Sequence, residues 1–335
     1  MATAVSSQLS SMPKKTFDSL VISISNSLWH KISMQVKNQV NHIRFGSRSS
    51  PLAKRQAEIV ASKFLNVFPN FTASFKSFCT TGDNLKDVPL YSFGGKGLFC
   101  KEVDQACIRG EIDVAVHSAK DMSVECPDQL VLAATLERSK PGDVLISKDN
   151  LTLSDLPSGA VIGTCSLRRH ALVKYLRPDL TVVPIRGNVQ TRLKKIHDQE
   201  IDATVLAAAG LERLGYGDDF GYCFDQNDFI PAAGQGIIAM TMCPKSPLLP
   251  MIQKINDLTT WHCFQIEQKI LKILGASCQM PVGVFVHKLG EIYKANSMLS
   301  DDALNHTVFS HHQNINPDKL AEIVARDLLD KQKRK

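Results

Sequence analysis

The sequence predicts an α/β protein, with two α/β lobes facing each other across a cleft and a small α+β domain at the C-terminal end. Three observations carry this expectation. Short apolar runs alternate with helical periods from residue 43, the same alternation restarts after Pro141-Gly142, and from about Pro250 helices are followed by strands.

The elements follow in order. Ile43 to Phe45 alternates like a short strand, and Ser50-Pro51 is an N-cap followed by proline at the first helical position, opening a helix over Leu52 to Phe64. A strand is expected at Phe71 to Phe78, a helix at Leu98 to Ile108 closed by Gly110, and strands at Asp113 to Val116 and Leu130 to Thr135. The second unit reads as strands at Val144 to Ser147 and Val161 to Gly163, a helix from Ser166, a strand at Thr181 to Ile185, a helix from Asn188 and a strand at Ala203 to Leu206. After the glycine-bearing stretch Pro231 to Gly236, the buried run Ile237 to Met242 returns the chain to the first unit. Beyond Pro250 come two helices, strands at Val282 to His287 and Glu291 to Ala295, and a last helix from Pro317. The expected domains are therefore 43–138 with 237–254, then 139–236, then 255–335. Two lobes joined by crossing strands resemble the periplasmic binding protein architecture, and ligands in open α/β sheets sit at the carboxyl ends of strands.

Composition narrows the function classes. The chain has 335 residues, 44% apolar and 21% charged, with a formal charge of +6, so a nucleic-acid partner is not implied. Nine cysteines, an odd number with no CxxC pair, argue against a zinc site and against a disulfide framework, and fit a reducing compartment. No apolar run reaches about 18 residues, so no membrane span is expected. Residues 1–42 are rich in serine, with Lys14, Lys15, Lys31 and Lys37 against Asp18 alone. That start reads as a transit peptide, as a disordered extension, or as sequence upstream of a true start at Met34. The expected location is the cytoplasm, or a plastid or mitochondrion if the segment is a targeting peptide.

The densest chemistry lies in Gly163 to Arg192, which places Arg168, Arg169, Arg186 and Arg192 at the starts of two helical segments. Unpaired N–H groups and guanidinium forks together make a site for a group with several carboxylates or phosphates. Arg48 and Ser50 occupy a strand-to-helix turn on the other side of the expected cleft, or are a surface charge and a cap. The loop Gly94 to Phe99 lacks the spacing of a nucleotide phosphate loop and reads as a lid or a helix entry. In His117-Ser118-Ala119-Lys120-Asp121, the carboxylate falls just past a strand end. There it stabilises a developing cation, moves a proton, or simply pairs with a neighbouring base. Cys278, on a small-residue loop, is either an attachment point or a core filler.

RFGSRSSPLAKRQA, GGKGLF, VHSAKD, GTCSLRRH, IRGNVQTRL, AAAGLERLG, PAAGQG and GASCQMPVG, in this order over residues 43 to about 290, closely resemble the hydroxymethylbilane synthase (porphobilinogen deaminase) family. The resemblance implies an enzyme of tetrapyrrole biosynthesis that joins four porphobilinogen molecules head to tail and releases ammonia. It implies a dipyrromethane cofactor held by Cys278 through a thioether, and Asp121 facing the reacting pyrroles. It sets Lys120, Ser166, Arg168, Arg169, Asn188 and Arg192 against the cofactor, and Arg48, Ser50, Phe99, Arg186, Arg213 and Gln235 against the substrate. It implies a monomer with no metal and no nucleic-acid or membrane partner. Two places depart from the family's pattern. Met240-Thr241-Met242-Cys243 stands where an acid, a cysteine and an arginine are common, and Ser92 stands where a basic residue is common. A two-lobed carboxylate receptor without catalysis is the competing reading, and it leaves Cys278 without a role.

Overall fold

The computed structural model describes residues 42–84, 99–217, 220–276 and 280–334. In the first lobe, strands β1 (His42–Arg48), β2 (Thr72–Phe78), β3 (Val114–Ser118), β4 (Val131–Thr135) and β10 (Ile238–Met242) form one sheet in the order β2-β1-β3-β10-β4. The second lobe repeats the pattern with β5 (Asp143–Ser147), β6 (Val161–Gly163), β7 (Thr181–Val183), β8 (Ala203–Ala207) and β9 (Tyr222–Cys223), ordered β7-β6-β8-β5-β9. In each sheet the first three strands run parallel, and one antiparallel strand sits between the third and the last. That strand is β5 or β10, the segment that has just crossed from the other lobe.

Burial follows position in the sheet. The central strand β3 has its first four residues buried, as a parallel strand covered on both faces must, while the edge strand β2 is largely exposed. Helix α1 (Pro51–Val67) starts at Ser50, whose hydroxyl accepts from the Ala53 N–H at 3.3 Å, with Pro51 in the first turn. Helix α2 (Lys101–Ile108) packs on the same lobe; Leu98, its expected start, lies outside the described residues. Helices α3 (Leu167–Leu176) and α4 (Val189–His197) are capped by Ser166 and Asn188, so the arginine-bearing turns are indeed helix starts. A further short helix, α5 (Ala208–Arg213), carries Arg213 in its last turn.

The C-terminal part packs α6 (Leu258–Ile273) and α7 (Pro317–Lys333) on a sheet ordered β11-β12-β13, with β11 at Val282–Leu289, β12 at Ile292–Ser300 and β13 at Thr307–Asn314. The third strand was not expected. Its sequence, TVFSHHQN, is half polar, and full antiparallel pairing with β12 holds it in place. Phe285 and Met298 of this part enter the apolar cluster of the second lobe, so the two share a core.

The hinge between the lobes is built around Glu267 on α6. Its carboxylate is fully buried, takes both oxygens to Arg138 at 2.8 Å, and accepts the N–H groups of Gly234 and Val286. Gly234 has φ +71°, and a Cβ there would lie 2.8 Å from the Ala119 carbonyl carbon and 2.9 Å from the Lys120 nitrogen. Neither backbone atom can yield. Gly234→Ala is expected to cost about 2–3 kcal/mol of stability through the left-handed backbone and the overlap together, read by denaturant unfolding.

Candidate active site

A cleft of about 1860 Å³ opens between the lobes and reaches the C-terminal part. Its floor on the first lobe is the end of β3, where the chain turns through Ala119-Lys120-Asp121 in a single tight helical turn. Asp121 is partly exposed, with Oδ2 3.5 Å from the Arg48 guanidinium. Arg48 in turn lies over the Phe99 ring at 4.3 Å, so the cation is held between an aromatic face and the carboxylate. The Cys100 thiol donates to the Asp121 carbonyl at 3.3 Å.

On the second lobe the expected arginines divide into two kinds. Arg168 and Arg169 are buried and already held by an internal carboxylate, yet both still line the cleft. Asp143, fully buried at the start of β5, takes Arg168 Nη1 at 2.8 Å and Arg169 Nη2 at 2.7 Å. The remaining guanidinium contacts go to the carbonyls of Ile230 and Val205. Burial works against the Asp143 charge, but the two arginines outweigh it and hold its carboxyl well below the usual range. One atom is left over: Arg168 Nε is buried with no hydrogen-bond partner among the described residues.

Arg186, Arg192 and Arg213 line or approach the cleft differently. Arg186 donates across the lobes to the Gly82 carbonyl at 3.3 Å, Arg192 to Gly187 at 3.0 Å, and Arg213 to the hinge carbonyl of Gly236 at 2.6 Å. Burial, then the neighbouring Arg169 and Arg186, push Arg192 down to about 10; burial alone does the same for Arg213, against a small opposing effect from Glu212. Lys120 is pushed down to about 8, first by burial and then by Arg169, with Asp121 and Asp143 opposing. Cations that depress one another's charge call for an anion between them.

Three further expected residues turn out to be helix caps. Ser50, Ser166 and Asn188 accept from the N–H groups of Ala53, Arg169 and Thr191. A serine hydroxyl that accepts from the helix keeps its own proton to donate into the cleft, and Asn188 keeps its amide N–H groups. Gln235 is almost completely buried and bridges the hinge. Its amide donates to Pro141 O and Asp143 Oδ1, and its carbonyl accepts from Lys120 Nζ at 3.4 Å. It is a strut between the lobes that also lines the cleft. Cys278, Ser92 and Gly94 to Leu98 of the glycine-rich loop lie outside the described residues, while Gly275, Ala276 and Met280, on either side of Cys278, line the cleft.

Sequence reasoning missed Asp143 and Asp104. The first had a signal, a charge at the mouth of the apolar strand DVLIS, which a strand covered on both faces tolerates only with a partner. Asp104, on α2, stands 2.9 Å from the buried His117 and accepts from the Thr241 hydroxyl at 2.9 Å. Burial opposes the His117 charge, but the adjoining Cys100 and Asp104 outweigh it and push its pKa up to about 10.

The donor set suits a polycarboxylate: Lys120, Arg48, Arg186 and Arg192 around one cleft, capping hydroxyls at two helix starts, and the unpartnered Arg168 Nε. The fold and site thus define a two-lobed α/β cleft protein, one wall of which is rich in arginine while an aspartate faces it from the other. A family model described as "Porphobilinogen deaminase, dipyromethane cofactor binding domain" matches residues 43–247. The porphobilinogen deaminases of Alkaliphilus metalliredigens and Orientia tsutsugamushi are each 44% identical to this chain. The first alignment covers 78% of this chain and 83% of the relative, the second 80% and 91%. That of Laribacter hongkongensis is 36% identical over 87% of this chain and 96% of its own. The chain belongs to the porphobilinogen deaminase family.

Proposed function

We propose that this protein is a hydroxymethylbilane synthase, a transferase that condenses four porphobilinogen molecules head to tail and releases ammonia at each addition. The observation that carries the reading is Asp121, a carboxylate at a strand end facing a cleft whose opposite wall is cationic. The covalently held dipyrromethane supplies the nucleophilic pyrrole carbon on which the chain begins. Cys278 is the attachment residue, and Lys120, Ser166, Arg168, Arg169, Asn188 and Arg192 hold the carboxylates of that group.

The residues of this chain then divide the work. When the aminomethyl group of porphobilinogen leaves as ammonia, positive charge spreads over its pyrrole ring, and the Asp121 carboxylate stabilises that charge. Joining the methylene to the pyrrole α-carbon of the bound chain would release that carbon's proton, and Asp121 is the group that would accept it. Arg48, Ser50, Arg186 and Arg213 grip the acetate and propionate groups, and Phe99 supplies an apolar face. Gln235 keeps Lys120 in register with Asp143 across the hinge.

Intact mass tests the reading. The purified wild-type chain is expected to exceed its sequence mass by one dipyrromethane, and Cys278→Ser to lose that excess together with activity on porphobilinogen. A wild-type chain of unmodified mass that does not consume porphobilinogen overturns the assignment.

A further inference from the structure

One largely buried cluster sits at the edge of the cleft, which Asp104 and Thr241 help to line, and takes no part in the chemistry above. His117, 4% exposed, points from β3 to Asp104 and Thr241, which are 8% and 1% exposed. Asp104 Oδ1 is 2.9 Å from His117 Nε2 and 2.9 Å from Thr241 Oγ1, and the last two are 3.2 Å apart. Three elements meet here: β3, α2 and the crossing strand β10.

What makes the cluster matter is where α2 begins. Asp104 lies one turn after Cys100, and its N–H donates to the Cys100 carbonyl at 2.9 Å. Cys100 occupies the N-cap position, yet its side chain makes no capping bond; the thiol goes instead to the Asp121 carbonyl at 3.3 Å. The preceding residue, Phe99, carries the ring under Arg48, which faces Asp121. The first turn of α2 is thus stapled twice to the segment His117 to Asp121, by Asp104 at one end and Cys100 at the other.

We propose that Asp104 and His117 are positioning residues for Asp121, acting through the first turn of α2, which brings Phe99 and Cys100 to that carboxylate. The proposal rests on Asp121 being the reacting carboxylate. Thr241 closes the cluster from β10, its hydroxyl 3.2 Å from His117 Nε2. The buried ion pair fixes a helix start whose own cap is engaged elsewhere. Without it, Phe99 and Cys100 are free to shift against Asp121, while the arginines on the other lobe are undisturbed.

The test uses the full-length, cofactor-loaded protein, with loading checked by intact mass. Asp104→Asn is expected to lower kcat about tenfold or more with KM for porphobilinogen within about threefold, since small misplacements of a reacting group act on turnover. In the same variant, alkylation of Cys100 by N-ethylmaleimide, followed by peptide mass, is expected to quicken about tenfold as the staple opens. Adding Thr241→Asp returns a carboxylate of similar size to His117 from the β10 side, and is expected to recover most of both effects. Should Asp104→Asn fail to load, Thr241→Val is expected to show the same two changes on a smaller scale. A loaded Asp104→Asn protein with wild-type kcat and wild-type alkylation overturns the proposal, as does a double variant no better than the single. Asp121→Asn, run alongside, separates the two levels. Near-normal turnover there removes Asp121 from the reaction, while Cys100 alkylation still decides whether Asp104 anchors α2.

Discussion

Asp121→Asn is expected to reduce kcat on the order of 10²–10³-fold, with KM for porphobilinogen little changed, because the interaction removed is one that strengthens only as charge develops. The carboxylate is well placed for this. It stands at the end of a buried strand, 3.5 Å from Arg48, and that arginine is itself held over Phe99. Asparagine keeps the size and hydrogen-bonding reach but not the charge, so ground-state binding, which rests on arginines of both lobes, survives. Steady-state kinetics on the cofactor-loaded protein reads the split. A variant with near-wild-type kcat removes Asp121 from the chemistry.

Asp143→Asn is expected to destabilise the protein by about 3–5 kcal/mol, the usual cost of removing one member of a buried charge network. Two guanidinium groups, each with less than a tenth of its surface exposed, would be left facing a neutral amide. Since natural proteins unfold at about 5–15 kcal/mol, this is a large share of the total. The acid dependence follows from the direction of the shift. The folded carboxyl titrates below its ordinary value of 3.8, so its contribution is complete above that pH and is lost as the pH falls through the folded value. Wild type and variant should therefore differ fully at neutral pH and converge on acidification, measured by denaturant unfolding. A constant difference down to the acid limit would locate the stabilisation elsewhere. The variant is also expected to carry less cofactor, since Arg168 and Arg169 are oriented by the same carboxylate.

The alternation of apolar runs made most strands and helices legible, and the capping residues Ser50, Ser166 and Asn188 marked the starts of α1, α3 and α4 within a residue. Spacing fixes where a side chain sits along an element; it carries no information about the partner brought in from a distant segment. Arg168 and Arg169 were read as a ligand-binding pair, and their first partner proved to be Asp143, on a neighbouring strand. The His117–Asp104–Thr241 cluster escaped for the same reason, since Thr241 is 124 residues from His117 in the chain. Strand β13 was lost differently: its polar run has little period-two contrast, and its strand character comes from pairing with β12. Gln235 was read as a substrate contact from its motif; its side chain also ties Pro141 and Asp143 together across the hinge, which the motif could not show.

The exchange of β5 and β10 between the sheets bears on the order in which the chain can fold. The strands of the second sheet are contiguous in sequence, from Asp143 to Cys223, so that sheet can close from its own segment. The first sheet cannot. Its β10 sits between β3 and β4, and among the described residues β4 has no other partner strand, so the first lobe waits, incomplete, until residue 242 has been synthesised. The lobe made first on the ribosome is thus the one finished last, and its pairing across more than a hundred residues is the slow, high-contact-order step. Asp121 and the Asp104–His117–Thr241 anchor beneath it come together only in that final closure. A chain caught before it has an arginine wall but no assembled floor.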